Sequence, residues 1–147
     1  MSISQICRRQ VVTVGREVDV AAAARVMRDE HVGYLVVTAE ASGRPLGVLT
    51  DRDIVLKVTA RDRDPADVKV GEVMTSDPVV ADLGADIGDT LRRMREIGVR
   101  RVPVVDSQGR LAGVVALDDV IDHLFAQLAA VAGTIRTEQQ TERALRS

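Results

Sequence analysis

Cysteine is all but missing from this chain. Cys7 stands alone, so no internal disulfide can close, and no paired Cys/His spacing exists for a zinc site. His31 and His123 lie far apart without partners at metal-ligand spacing, so no metal site is assigned. Aromatics are just as scarce: Tyr34 and Phe125 are the only two, with no tryptophan. That removes the stacking platforms used by single-strand nucleic-acid binders and leaves Val, Ile, Leu, Ala and Met to build the core. An excess of one charge is also lacking. Twenty Lys and Arg are interleaved with 22 Asp and Glu for a net charge of -2, so no basic field exists to gather phosphate backbones. No apolar run reaches the roughly 18 residues of a membrane span, and Met1 to Val14, with Arg8 and Arg9, has no signal-peptide core. The expectation is a cytoplasmic chain with neither nucleic acid nor membrane as partner. No catalytic residue is assigned, because there is no G-x-S-x-G elbow, no Walker loop and no nucleophile beside a base.

What is present is a composition 46% hydrophobic and 29% charged over 147 residues, which suits a packed globular fold. The organising feature is a repeat. A shift of 67 lays Val12 on Val79, Asp19 on Asp86, Arg25 on Arg92, Met27 on Met94 and Val32 on Val99. One residue fewer in the turn after Thr38 lays GVLTDRDI (Gly47 to Ile54) on GVVALDDV (Gly113 to Val120). Each copy reads as β-α-β-β-α: a short apolar strand, an amphipathic helix, two β-branched runs joined by a Gly-containing turn, and a second helix. In the second copy Ile87, Leu91, Met94 and Ile97 recur at helical spacing behind Asp86 as N-cap. Pro103 cannot donate to a ladder, so its strand is expected at a sheet edge.

The expected boundaries are 1–69 for the first repeat with its charged linker from Ala60 to Val70, 70–132 for the second, and 133–147 for a polar tail. Gly133 is expected to interrupt the last helix. Neither copy alone has a sufficient core. The stripe Ile121, Leu124, Phe125, Leu128 and Val131 exceeds what one unit needs and points to a homodimer.

GVLTDRDI with the upstream VGYLVV, and VRRVPVVDSQGRLAGVV followed by ALDDVI, resemble the CBS-domain family over about residues 6 to 130. The resemblance implies an α/β fold of α+β type: two tandem repeats related by a pseudo-twofold axis, with two clefts between them and a C-terminal helical tail. It also implies adenosine compounds as ligands: AMP, ADP, ATP, S-adenosylmethionine or NAD, none of them an obligatory cofactor.

Thr50-x-x-Asp53 has the spacing of a capping box. The resemblance implies instead that Asp53, and its counterpart Asp119, accept from ribose hydroxyls as acids do in dinucleotide folds. In the second copy Ala116 replaces the threonine. Arg100 and Arg101 precede a strand where the family often keeps a basic residue for phosphate. One implied cleft joins Ala116, Asp119 and Arg101 to Val11, Val12, Val32 and Gly33, with Tyr34 lining or plugging it. The other joins Thr50 and Asp53 to Pro78, Val79, Val99 and Arg100. The expected function is a regulatory adenine-nucleotide sensor acting in trans on an effector protein. The alternative is a ligand-free dimerisation or protein-interaction module.

Overall fold

A computed structural model describes residues 1–147. The first repeat contains β1 (Thr13–Val14), α1 (Val20–Glu30), β2 (Tyr34–Thr38), β3 (Pro45–Thr50) and α2 (Asp51–Lys57). A short helix α3 (Val70–Val73) and strand β4 (Thr75–Ser76) follow, and then β5 (Ala81–Asp82), α4 (Ile87–Ile97), β6 (Arg101–Val105), β7 (Leu111–Ala116) and α5 (Leu117–Arg146). The two copies build two sheets, ordered β1-β2-β3-β4 and β5-β6-β7. Within each, the first strand runs parallel to the second and the second antiparallel to the third. Asp19 and Asp86 cap α1 and α4 by accepting from backbone N–H groups one turn on.

Strand alternation divides each sheet into two faces. Leu35 and Val37 of β2 join Val20, Ala23 and Met27 of α1 in the first core, and Val102 and Val104 of β6 join Met94 of α4 in the second. The intervening residues Tyr34, Val36, Arg101 and Pro103 point the other way, where the repeats meet. Val36 is fully buried there although it belongs to neither core. The hairpin turns clasp at one end: the Leu111 N–H donates to the Gly43 carbonyl (2.9 Å) and Arg44 Nη2 to the Gln108 carbonyl (2.9 Å).

Three features depart from the sequence expectations. First, the segment ahead of each repeat packs on the other repeat. Val68, Val70 and Val73 complete the first core, while Ile3 and Ile6 complete the second. The charged linker is laid along the first repeat, with the Val20 N–H donating to the Val68 carbonyl and the Val70 N–H to the Val18 carbonyl. The boundary at residue 69 therefore separates sequence copies but not packed units. Backbone bonds between Arg8 and Val114 run both ways, extending the second sheet beside β7 as β4 extends the first beside β3. This crossing explains a glycine in each copy. A Cβ on Gly113 would lie 2.6 Å from the Arg8 carbonyl oxygen, and one on Gly47 would lie 2.7 Å from that of Thr75.

Second, β6 is the central strand of its sheet, not an edge. In the first repeat the Val36 N–H donates to the Val12 carbonyl. Pro103 occupies the matching position, and β5 begins only at Ala81, so the missing donor falls where the parallel ladder has not yet formed.

Third, α5 passes through Gly133 without a break and ends at Arg146. Its 30 residues span about 45 Å. A helix-interior glycine costs roughly 1 kcal/mol, which the good helix formers around it outweigh.

Candidate functional site

A cleft of about 340 Å³ opens between the repeats. It gathers Val11, Val12, Val32, Gly33 and Tyr34 from the first copy and Arg101, Ala116 and Asp119 from the second. Arg8, Gln10, His31, Val114 and Asp118 also line it and lie outside the sequence-derived set.

The chemistry of the cleft follows from one difference between the copies. At the start of α2, the Asp53 N–H donates to Thr50 Oγ1 (3.1 Å) and the Thr50 N–H to Asp53 Oδ2 (3.0 Å). Asp53 Oδ1 meets Lys57 Nζ at 3.1 Å, so both of its oxygens are engaged within their own helix end. At the start of α5, Ala116 offers no hydroxyl and no side chain caps the helix. Asp119 is thereby released from capping. Its Oδ1 accepts from Arg8 Nε (2.7 Å) and Nη2 (2.6 Å), while Oδ2 is buried and bonded to nothing in the protein. The Asp119 side chain is only 10% exposed. Its hydrogen bond, and then its charge, raise the Arg8 guanidinium above its ordinary value. Arg8 is delivered by the crossing N-terminal segment, which no local motif announces. The signal that could have found the segment is the repeat itself, since the same shift lays Ile3 on Val70 and Ile6 on Val73.

Tyr34 and Arg101 are equivalent residues, each opening the first strand of its sheet's antiparallel pair. They meet across the repeats, with the Arg101 guanidinium carbon 5.8 Å from the centre of the tyrosine ring, a cation–π distance. Burial pushes the Tyr34 phenol well above its ordinary value, and the Arg101 charge opposes this only in part. Tyr34 Oη is buried and bonded to no protein group. Arg101 itself has no carboxylate within ion-pair distance. Arg100 faces solvent, 3.4 Å from Asp118.

The other implied set is not drawn around a comparable opening. Thr50 and Asp53 close their box, Pro78 and Val79 precede β5, Val99 packs against the second core, and Arg100 is exposed. None of the other sizeable clefts is lined by any of these six. Where Arg8 faces Asp119, the matching residue of the other copy is Thr75, which carries no charge. No group of three or more His, Cys, Asp or Glu side chains is arranged to hold a metal ion, and no helix is long and apolar enough to cross a membrane.

Two copies of the same β-α-β-β-α unit, each completed by the other's leading segment around an inter-repeat cleft, define a paired-repeat protein. The CBS domain family matches residues 3–60 and 70–126, and the chain belongs to that family. Hypoxic response protein 1 of Mycobacterium tuberculosis is 40% identical over 114 residues, 78% of each chain. A crystal structure of Hypoxic Response Protein I with two coordinated zinc ions superposes with a TM-score of 0.74 at 36% identity, covering 84% of this chain and 98% of that one. Protein MK0525 of Methanopyrus kandleri is 28% identical over 121 residues, 82% of this chain but 61% of its own length, so the chain spans under two thirds of that relative. The CBS domain pair of protein MJ0100, solved with 5′-methylthioadenosine and S-adenosylmethionine, shares the fold with a TM-score of 0.74 at 24% identity, covering 86% of this chain and 97% of that one.

Proposed function

We propose that this chain is a non-catalytic regulatory module that binds an adenosine compound in the cleft of Asp119 and passes the change to an effector protein in trans. The observation that carries the reading is the Asp119 carboxylate: released from its capping role, nine-tenths buried, and with one oxygen that no protein group engages and that a sugar hydroxyl reaches once the cleft opens. Val11, Val12 and Val32 supply apolar wall for a base, and Arg101 supplies a cation for phosphate. The adenosyl ligands held by the MJ0100 domain pair support the ligand class. Asp53 is a second ribose acceptor only if ligand binding opens its capping box, which makes the Asp119 cleft the primary site.

The test is thermal melting with AMP, ADP, ATP, S-adenosylmethionine and NAD. A ligand at about 100 times its dissociation constant adds roughly 2.7 kcal/mol of stability, a shift of about 5–10 °C for a chain of this size. At least one compound is expected to give it, and Asp119→Ala to reduce it. If no compound moves the curve, the competing reading takes over: a ligand-free dimerisation module working through the exposed apolar face of α5, where Phe125 is 70% and Leu128 is 66% exposed.

A further inference from the structure

Asp119 has no oxygen ready for a ligand. Each carboxylate oxygen has about two acceptor positions, and those of Oδ1 are taken by Arg8 Nε (2.7 Å) and Nη2 (2.6 Å). Oδ2 is engaged by no protein group, but it is buried and has essentially no surface to present. A neighbour must move before the carboxylate can hold a sugar, and Arg8 is suited to do so. The two sides of the contact differ sharply in exposure, 10% for the Asp119 side chain against 69% for that of Arg8. The Arg8 backbone is fixed: its N–H donates to the Val114 carbonyl (2.9 Å), its carbonyl accepts from the Val114 N–H (3.0 Å), and Ile6 is anchored in the second core. Side-chain rotation alone therefore frees the guanidinium while the segment stays in place. It also has somewhere to go. Asp118 and Asp122, one helical turn apart on α5 and both exposed, act on the Arg8 charge in the same sense as Asp119. Nothing equivalent guards Asp53, because Thr75 stands where Arg8 would be and Lys57 comes from the aspartate's own helix.

We infer that Arg8 is a latch on the cleft: it holds the Asp119 carboxylate while the cleft is empty, competes with the ribose for it, and swings out to Asp118 and Asp122 when a ligand enters. This rests on the adenosine-binding reading and adds its control. The ion pair and the bound sugar exclude each other, so apparent affinity is lowered by the fraction of molecules whose latch is shut. Ligand entry in turn moves a positive charge from the cleft onto the outer face of the first turns of α5, where Arg100 already lies 3.4 Å from Asp118. The crossing N-terminal segment thus couples cleft occupancy to the surface at the root of the long helix.

The experiment is titration calorimetry of the native chain, Arg8→Gln and Arg8→Lys with AMP and with 5′-methylthioadenosine, alongside ligand-free melting. Arg8→Gln is expected to bind both compounds about tenfold more tightly, since they share the ribose and one competing bond between charged groups is gone. Its ligand-free melting temperature is expected to fall, because a buried carboxylate loses its partner. The opposite signs identify a latch, whereas a residue that merely shapes the cleft would lower affinity and melting temperature together. Arg8→Lys, which offers a point charge in place of a fork, is expected to tighten binding by a smaller factor with melting closer to native, and it carries the test if Arg8→Gln does not fold. Unchanged or weaker binding of both compounds in the variants, or weakening of AMP alone, overturns the latch while adenosine binding by the native chain stands. If neither the native chain nor the variants bind either compound, both readings fall.

Discussion

A single methyl-for-hydroxyl exchange separates the two helix starts. Thr50 and Asp53 satisfy each other's backbone N–H groups, whereas Ala116 leaves α5 uncapped by any side chain and Asp119 free to turn toward Arg8. A capping threonine in place of alanine contributes about 1 kcal/mol. Ala116→Thr is therefore expected to raise the melting temperature by about 2–4 °C, measured by differential scanning calorimetry without ligand. At this scale the sequence was legible where a residue's role is local: the Thr50–Asp53 box and the Asp86 cap can be read from spacing. It was not legible for Arg8, whose partner stands 111 positions away and is reached only through the crossing of the N-terminal segment.

Among the elements, α5 is the one whose surface remains unexplained by the fold of a single chain. Ile121, Leu124, Leu128, Val131 and Ile135 recur at alternating spacings of three and four and are all about half exposed or more. That spacing has the a/d pattern of a coiled-coil seam, and a second copy of the same helix is the proposed partner. The chain is expected to be dimeric by light scattering at micromolar concentration, and Leu128→Glu, which sets like charges in the seam, to give the monomer mass. A monomeric native chain would remove the proposal. The stripe was readable from periodicity as far as Val131, but its extension to Ile135 depends on the continuity of α5 past Gly133, which was not. A lone glycine weakens a helix without deciding its end, and flanking propensity settles the matter. Pro103 is the converse case: the rule about ladder donors holds, but which side of the strand lacks a neighbour depends on how short β5 is.

For the molecule as a whole, the exchange of leading segments makes the two repeats one folding unit. Ile3 is fully buried in the second core, so Ile3→Ala is expected to cost about 2–4 kcal/mol in denaturant unfolding, comparable to Val70→Ala at the matching position. A single transition should be seen in both variants. The pH response should be modest on either side of neutrality. Glu72, bonded first by the Lys69 N–H, and Asp106, bonded first by the Arg110 N–H, titrate below their ordinary values of 4.5 and 3.8. Their contribution is present above those values and is lost as pH falls through the lowered ones. Lys69, raised above 10.5 by Glu17, contributes below that value and loses its contribution as pH rises beyond it. Glu72 and Lys69 are exposed and Asp106 is partly so, so the melting temperature should be level between roughly pH 5 and pH 9 and its acid decline should weaken in high salt. The duplicated architecture was readable from the repeat, because matched residues recur in order along the chain. The crossing was not, because two isoleucines in a short polar segment carry no periodicity of their own.

That crossing also bears on how the chain is made. Ile3 and Ile6 are translated more than 100 residues ahead of Val115 and Val120, which cover them in the second core. The crossing segment must therefore wait, with two greasy side chains in water, until the second repeat has been translated. Anything that holds this segment away from the second repeat during synthesis would leave that repeat's core open.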